Sequence, residues 1–231
     1  MHNSVKCISY NVCGLCNHDK WRLTWHYVHT CKADNVVLQI HNQHEFTAHS
    51  SYFAGYWIAY AGLYDFSGVL MLIRHELQLV LAHNDPGGPW MVVQCLINGQ
   101  MYGFGGVYAH TSSRQRAALL SAMSSYQWLS NAFLCGDFNN APALSNNTTG
   151  HSHMLTMEMS NWTGLVACTQ MLDLWSLLHP NVVEHTFQHN ALSSYRARLD
   201  RWYVLNMQQF DEYVCKMSIV YTLLLSHHAL W

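Results

Sequence analysis

Residues 132–139 read Ala-Phe-Leu-Cys-Gly-Asp-Phe-Asn. A short apolar run closed by turn residues is the pattern of a strand buried on both faces. This one opens directly into Gly136-Asp137-Phe138-Asn139, which places polar side chains at the rim of a core. Outward from it, similar runs at residues 5–10, 36–40, 56–60, 68–73, 77–82, 183–188, 198–204 and 218–225 predict further strands. Residues 90–97 and 100–108 flank Asn98-Gly99, the favoured two-residue hairpin turn. Asn84-Asp85-Pro86-Gly87-Gly88-Pro89 marks another turn. Helices are predicted at 21–30, 114–129 and 161–178. The second has apolar residues at helical spacing (Ala118, Leu119, Ala122, Met123, Tyr126, Leu129) after a capping stretch, Thr111-Ser112-Ser113. No repeat and no linker divides the chain, so residues 1–231 are expected to form a single α/β domain. Many strands and few helices predict two sheets packed together and flanked by helices.

The 231 residues are 50% hydrophobic and only 10% charged, against about 25% in ordinary domains. With 11 basic and 13 acidic residues, the net charge is -2. Disorder is excluded, because disordered chains are poor in aromatics and rich in charge. A polybasic nucleic-acid binder is disfavoured, since no positive excess exists to neutralise phosphates. The 8 Cys are scattered, several within apolar runs, which predicts buried free thiols rather than a disulfide framework. Met1-His2-Asn3-Ser4-Val5-Lys6 lacks the basic start and apolar core of a secretory signal. No run of 18 apolar residues exists, so no membrane partner is expected. Asn-X-Thr sequons at Asn146, Asn147 and Asn161 then read as chance.

Four segments stand in an informative order: Ile8-Ser9-Tyr10-Asn11-Val12-Cys13-Gly14-Leu15, Gly136-Asp137-Phe138-Asn139, Arg198-Leu199-Asp200-Arg201-Trp202-Tyr203-Val204 and Ser226-His227-His228-Ala229-Leu230. Together the set resembles the endonuclease/exonuclease/phosphatase superfamily, which includes deoxyribonuclease and abasic-site endonucleases. Gly106-Val107-Tyr108-Ala109 resembles the family's Tyr-bearing strand end. Leu172-Asp173-Leu174-Trp175-Ser176-Leu177-Leu178-His179-Pro180, followed by Glu184-His185-Thr186-Phe187, looks like LINE-type retrotransposon endonucleases. The resemblance spans nearly the whole chain. It implies a four-layered α/β sandwich of two packed mixed β-sheets flanked by helices. It also implies Mg²⁺-dependent nicking of DNA by a monomer, with Mn²⁺ a second candidate ion. A nuclear setting and an original fusion to a reverse transcriptase domain follow from the same resemblance.

Residue roles carry over from the resemblance position by position. Asn11 matches an Asn that sets the metal side of the site. Tyr108 matches a phosphate-contacting Tyr, although alone it reads as a strand-end aromatic. Asp137 matches the carboxylate that orients or deprotonates the attacking water, and Asn139 a donor to the phosphate oxygen. Asp200 matches a buried carboxylate that orients the catalytic His, and His228 matches that His. Held by Asp200, His228 would stay protonated and stabilise a pentavalent phosphorane. Arg114, Arg116, Arg196, Arg198 and Arg201 border these segments and are expected to contact DNA phosphates.

Departures from the family pattern are equally specific. Leu38-Gln39-Ile40 stands where the family has Leu-Gln-Glu, and the missing Glu is the family's main metal ligand. Glu45 lies too far on to replace it. Ser226-His227-His228 stands where the family has Ser-Asp-His, so His227 is a weak substitute ligand beside Asn11. Loss of the principal Mg²⁺ ligand is expected to remove several kcal/mol of transition-state stabilisation, about three decades of rate or more. The alternatives are a catalytically inactive relic and a DNA-binding domain of the same fold. His41, His227 and Cys13 would suit Zn²⁺ or Mn²⁺, and Cys13-Gly14-Leu15-Cys16 is a C-x-x-C compatible with zinc or redox chemistry. No second ligand pair of matching spacing accompanies it. His151-Ser152-His153 reads as a solvated loop.

Overall fold

The computed structural model describes residues 4–12, 18–40, 50–63, 67–85, 87–142, 154–188, 196–205 and Met217. Its strands are β1 (Cys7–Asn11), β2 (Asn35–Ile40), β3 (Tyr56–Leu63), β4 (Ser67–Arg74), β5 (Gln78–Asn84), β6 (Trp90–Ile97), β7 (Gln100–Tyr108), β8 (Ala132–Asp137), β9 (Leu172–Asp173), β10 (Phe187–Gln188), β11 (Arg196–Ala197) and β12 (Asp200–Leu205). Its α-helices are α1 (His18–Cys31), α2 (Ser113–Ser124), α3 (Thr156–Thr169) and α4 (Leu174–Leu178).

One sheet has the order β1-β2-β4-β3 and the other β5-β6-β7-β8-β12-β9. β1 with β2 and β7 with β8 run parallel, and the remaining pairs within these sheets are antiparallel. Both sheets are therefore mixed. The period-two alternation of a strand divides the apolar residues of its two faces. In β2 and β4, Val37, Val69, Met71 and Ile73 join a core with Met91, Val93 and Cys95 of the other sheet. Val36, Leu38, Ile40, Leu70 and Leu72 join Trp21 and Val28 of α1. On the far side, Trp90, Val92, Val107 and Leu134 pack with Leu119, Leu120 and Met123 of α2 and with Trp162 and Leu165 of α3. The result is four layers: helix, sheet, sheet, helices. It accounts for strands that read as unbroken apolar runs, since each central strand is covered twice.

The predicted hairpin forms with Ile97 paired to Gln100. Asn98 and Gly99 take φ of 50° and 82°, the left-handed pair that a type I′ turn requires. Three sequence expectations need correction. The predicted helix over 161–178 is two helices interrupted by β9. Gln170 adopts the left-handed conformation and its N–H bonds Val166 O, which ends α3. Asp173 then pairs with Tyr203 in β12 and accepts from Ser176 N to cap α4. The helix predicted to Leu129 stops at Ser124, and the Ser112 side chain makes no cap bond. The Ser124 and Ser125 hydroxyls bond the carbonyls of Leu120 and Ser121, a side-chain competition that suits helix ends. Of the strand predicted over 183–188, only Phe187–Gln188 forms, paired with β11. The strand predicted over 218–225 lies outside the described residues.

Gly136 has φ +132°, and a Cβ there would collide with the Val107 carbonyl of β7. Glycine at that step lets β8 lie against β7 just before Asp137. Gly136→Ala is expected to destabilise the fold by about 2 kcal/mol or more, measured as a lowered urea midpoint at unchanged slope.

Candidate active site

The carboxyl ends of β1, β7 and β8 and the start of β12 meet at one end of the sandwich. Tyr108 is the parallel register partner of Asp137, and Asp200 its antiparallel partner. Three neighbouring strands thus place a phenol and two carboxylates in one row. Directly opposed residues of an antiparallel pair point to the same face, with Cβ atoms about 5 Å apart. All three residues are buried. The row is completed from the other sheet: Asn11 Nδ2 donates to Asp137 Oδ2 at 2.8 Å. Asp137 Oδ1 accepts from Asn139 N at 2.8 Å. Asn139 is left-handed, with φ 48°, and its Nδ2 donates to Ala109 O at 2.7 Å. On the far flank, Thr186 Oγ1 accepts from both Leu199 N and Asp200 N at 3.1 Å, which fixes the entry to β12.

The structure therefore brings together Asn11, Tyr108, Asp137, Asn139 and Asp200. His227 and His228 lie outside the described residues, as do His41, Cys13, Cys16, His151 and His153. Ile40 is 0% exposed and belongs to the apolar cluster of Tyr10, Val12, Trp21 and Phe53 on the α1 side. A Mg²⁺ centre is built from carboxylate oxygens and retained waters. Here Asp137 engages Asn11 and Asn139 with its two oxygens, and position 40 supplies none. Among the described residues, no group of three or more His, Cys, Asp or Glu stands ready to hold a metal ion. The described residues do not fit the Mg²⁺ centre that the resemblance implied.

The five arginines separate into two groups. Arg114 and Arg196 are exposed. Arg116, Arg198 and Arg201 are only 5%, 3% and 0% exposed, so the expectation that they contact phosphates is corrected. Arg198 forms a fork with Asp173, its Nη1 and Nη2 at 2.8 and 2.7 Å from the two oxygens. Arg201 lies against the rings of Phe138, Trp162 and Tyr203, and donates from Nη2 to Asn140 O at 2.8 Å and also to Asn140 Oδ1. Burial away from water lowers the pKa of its guanidinium. Arg116 donates from Nε and Nη2 to Glu158 at 2.6 and 3.0 Å. Sequence reasoning missed Glu158 and Asn140. The available signal was an isolated Glu within an otherwise uncharged helix, Thr156–Thr169.

No family model matches the chain, and no curated protein matches its sequence. Solved structures do. An AP endonuclease from Archaeoglobus fulgidus superposes with a TM-score of 0.78 at 15% identity, covering 98% of this chain and 97% of the other. The 3′ phosphatase NExo from Neisseria, bound to a product DNA hairpin, gives 0.75 at 18% identity, with 98% and 97% covered. TDP2 from D. rerio, complexed with a single-strand DNA product, gives 0.71 at 17% identity, with 98% and 96% covered. The chain has the deoxyribonuclease-like α/β sandwich fold.

Burial by itself raises the pKa of the Glu158 carboxyl, but hydrogen bonds from Arg116, Ser113 and Asn140 outweigh it and hold the group below its usual 4.5. A carboxylate whose pKa is depressed by folding stabilises the fold above its unfolded value and loses that contribution as pH falls through the folded one. Stability is expected to decline as pH drops below about 4.5, and Glu158→Gln should flatten that slope in acid titrations followed by circular dichroism. Asn11→Ala removes a buried donor from Asp137 and is expected to cost about 1–3 kcal/mol in urea denaturation.

Proposed function

We propose that the chain is a DNA-nicking endonuclease domain of retrotransposon type whose phosphodiester hydrolysis is weakened by lost metal-ligand carboxylates, so that DNA binding outlasts cutting. The observation that carries this is the row of Tyr108, Asp137 and Asp200, joined by Asn11 from the second sheet. A phenol and amides at one end of a sandwich suit a phosphate oxygen, and a buried carboxylate suits the attacking water. The deoxyribonuclease-like fold and DNA-bound neighbours support DNA as the partner. Ile40, packed among apolar side chains, supports weakened dependence on Mg²⁺ or Mn²⁺. The exposed Arg114 and Arg196 are the phosphate contacts in this proposal, and His228, outside the described residues, takes the role of the catalytic His that the resemblance implies. No helix among the described residues is long and apolar enough to cross a membrane.

The test is a supercoiled-plasmid nicking assay with Mg²⁺, Mn²⁺ or Zn²⁺, run beside duplex binding by fluorescence anisotropy. Binding without appreciable nicking is expected. Two phosphate contacts give a slope of about -2 in log affinity against log salt, and Arg114→Ala should reduce its magnitude by about 1. Robust Mg²⁺-dependent nicking abolished by Asp137→Asn would overturn the weakened site. Absence of binding at low salt would overturn the DNA assignment. Zinc-dependent behaviour lost on Cys13→Ser would favour a metal or redox protein instead.

Reinstating the family carboxylate meets a packing constraint. Ile40→Glu exchanges a fully buried apolar side chain for a carboxylate, and is expected to cost about 3 kcal/mol or more in urea denaturation. An unchanged midpoint together with a gain of Mg²⁺-dependent nicking would mean that a side chain at position 40 reaches the site.

A further inference from the structure

Glu158 lies on α3, behind the candidate site, and is completely buried. Its Oε1 accepts from Arg116 Nε at 2.6 Å and from Asn140 Nδ2 at 3.1 Å. Its Oε2 accepts from Arg116 Nη2 at 3.0 Å and from the Ser113 hydroxyl. These partners lead outward to backbone. Arg116 Nη1 donates to His110 O at 3.2 Å and to Thr111 O at 2.5 Å. Asn140, on the segment after Asp137, accepts from Arg201 on β12. Asn139 closes the circuit by donating to Ala109 O at 2.7 Å. One carboxylate thus ties together the segment that follows Tyr108, the segment that follows Asp137 and the strand that carries Asp200.

Stability alone does not explain this arrangement. Desolvating an acid and two guanidinium groups offsets most of what their pairing contributes, and apolar side chains of similar volume would often serve as well. What apolar side chains cannot do is fix carbonyl groups at set positions. We propose that Glu158 is a positioning residue, which through Arg116 and Asn140 sets the two loops that follow Tyr108 and Asp137 for contact with a DNA phosphate, while touching no substrate itself. This rests on the proposed DNA site.

The test uses the full chain and the variants Glu158→Gln, Asn140→Ala and Arg116→Lys. Asn140→Ala leaves the Arg116–Glu158 pair in place and keeps the experiment decisive if Glu158→Gln fails to fold. Arg116→Lys preserves the charge but not the fork that reaches both the carboxylate and the carbonyls. Amide ¹H–¹⁵N spectra and affinity for a fluorescent DNA duplex are measured well below the thermal midpoint. The expected result is movement of the signals of residues 108–112 and 137–140 with those of β1–β4 unmoved, and DNA binding weakened five-fold or more. Arg116→Lys should fail to rescue. Shifts confined to α2 and α3, or an affinity within two-fold of the unsubstituted chain, would overturn the proposal. If the unsubstituted chain binds no duplex, the DNA assignment falls, and the loop signals alone decide whether Glu158 places those segments.

Discussion

The hydrogen bond from Asn11 to Asp137 joins the end of β1 in one sheet to the end of β8 in the other. Two sheets packed through Val37, Val69, Met71, Met91 and Val93 share polar chemistry at this end, as they also do where Asn84 of β5 donates to Tyr60 O of β3. The constraint behind it is the double burial of the central strands. A strand covered on both faces opens its polar side chains to solvent or ligand where it ends, while those along its length, such as Ser9 and Gln39, bond one another inside. The carboxyl ends of β7 and β8 coincide because these two strands run parallel, and the Asn11–Asp137 bond brings the end of β1 from the other sheet to the same edge. Position of the site and layering of the fold are thus one fact seen twice.

The low charge of the chain takes on a sharper meaning in three dimensions. Only 11 residues are Lys or Arg, and three of the arginines near the site are turned inward. Each is committed to an interior partner. Arg116 holds Glu158, Arg198 holds Asp173, and Arg201 holds Asn140 within a ring of aromatic side chains. Their charge serves to hold loops and a helix start rather than to face a phosphate. Arginine suits this because its planar fork bonds a carboxylate and a carbonyl at once.

Much of the architecture was legible along the chain. Apolar runs bounded by Gly, Asn and Asp marked the strands, and Asn98-Gly99 marked a hairpin that forms in the expected register. The elements misplaced by sequence share a cause. The stretch over 161–178 keeps helical apolar spacing throughout, yet Gln170 turns left-handed and Leu172–Asp173 is captured by β12. Residues 183–188 have strand character, but only two of them find a partner strand. In the first place pairing with a distant strand overrode local preference, and in the second the strand preference of residues 183–186 found no partner strand among the described residues. The arginines were misread for the same kind of reason: proximity to a motif in sequence carries no information about which way a side chain faces.

By itself, the sequence determined the layered α/β class, and its family resemblance supplied the expectation that Asn11, Tyr108, Asp137 and Asp200 belong to one site. The class depends on local patterning: hydrophobic period sets which faces are covered, and a strand that ends in Gly-Asp-Phe-Asn puts its polar residues at a rim. Tertiary structure alone decided that Asn11 meets Asp137, that Ile40 is sealed in the apolar layer beside α1, and that Glu158 on a distant helix bonds Arg116 and Asn140. Those facts arise from contacts between residues far apart in the chain, where the partner of a buried polar group is chosen by packing geometry and by the cost of leaving that group unpaired.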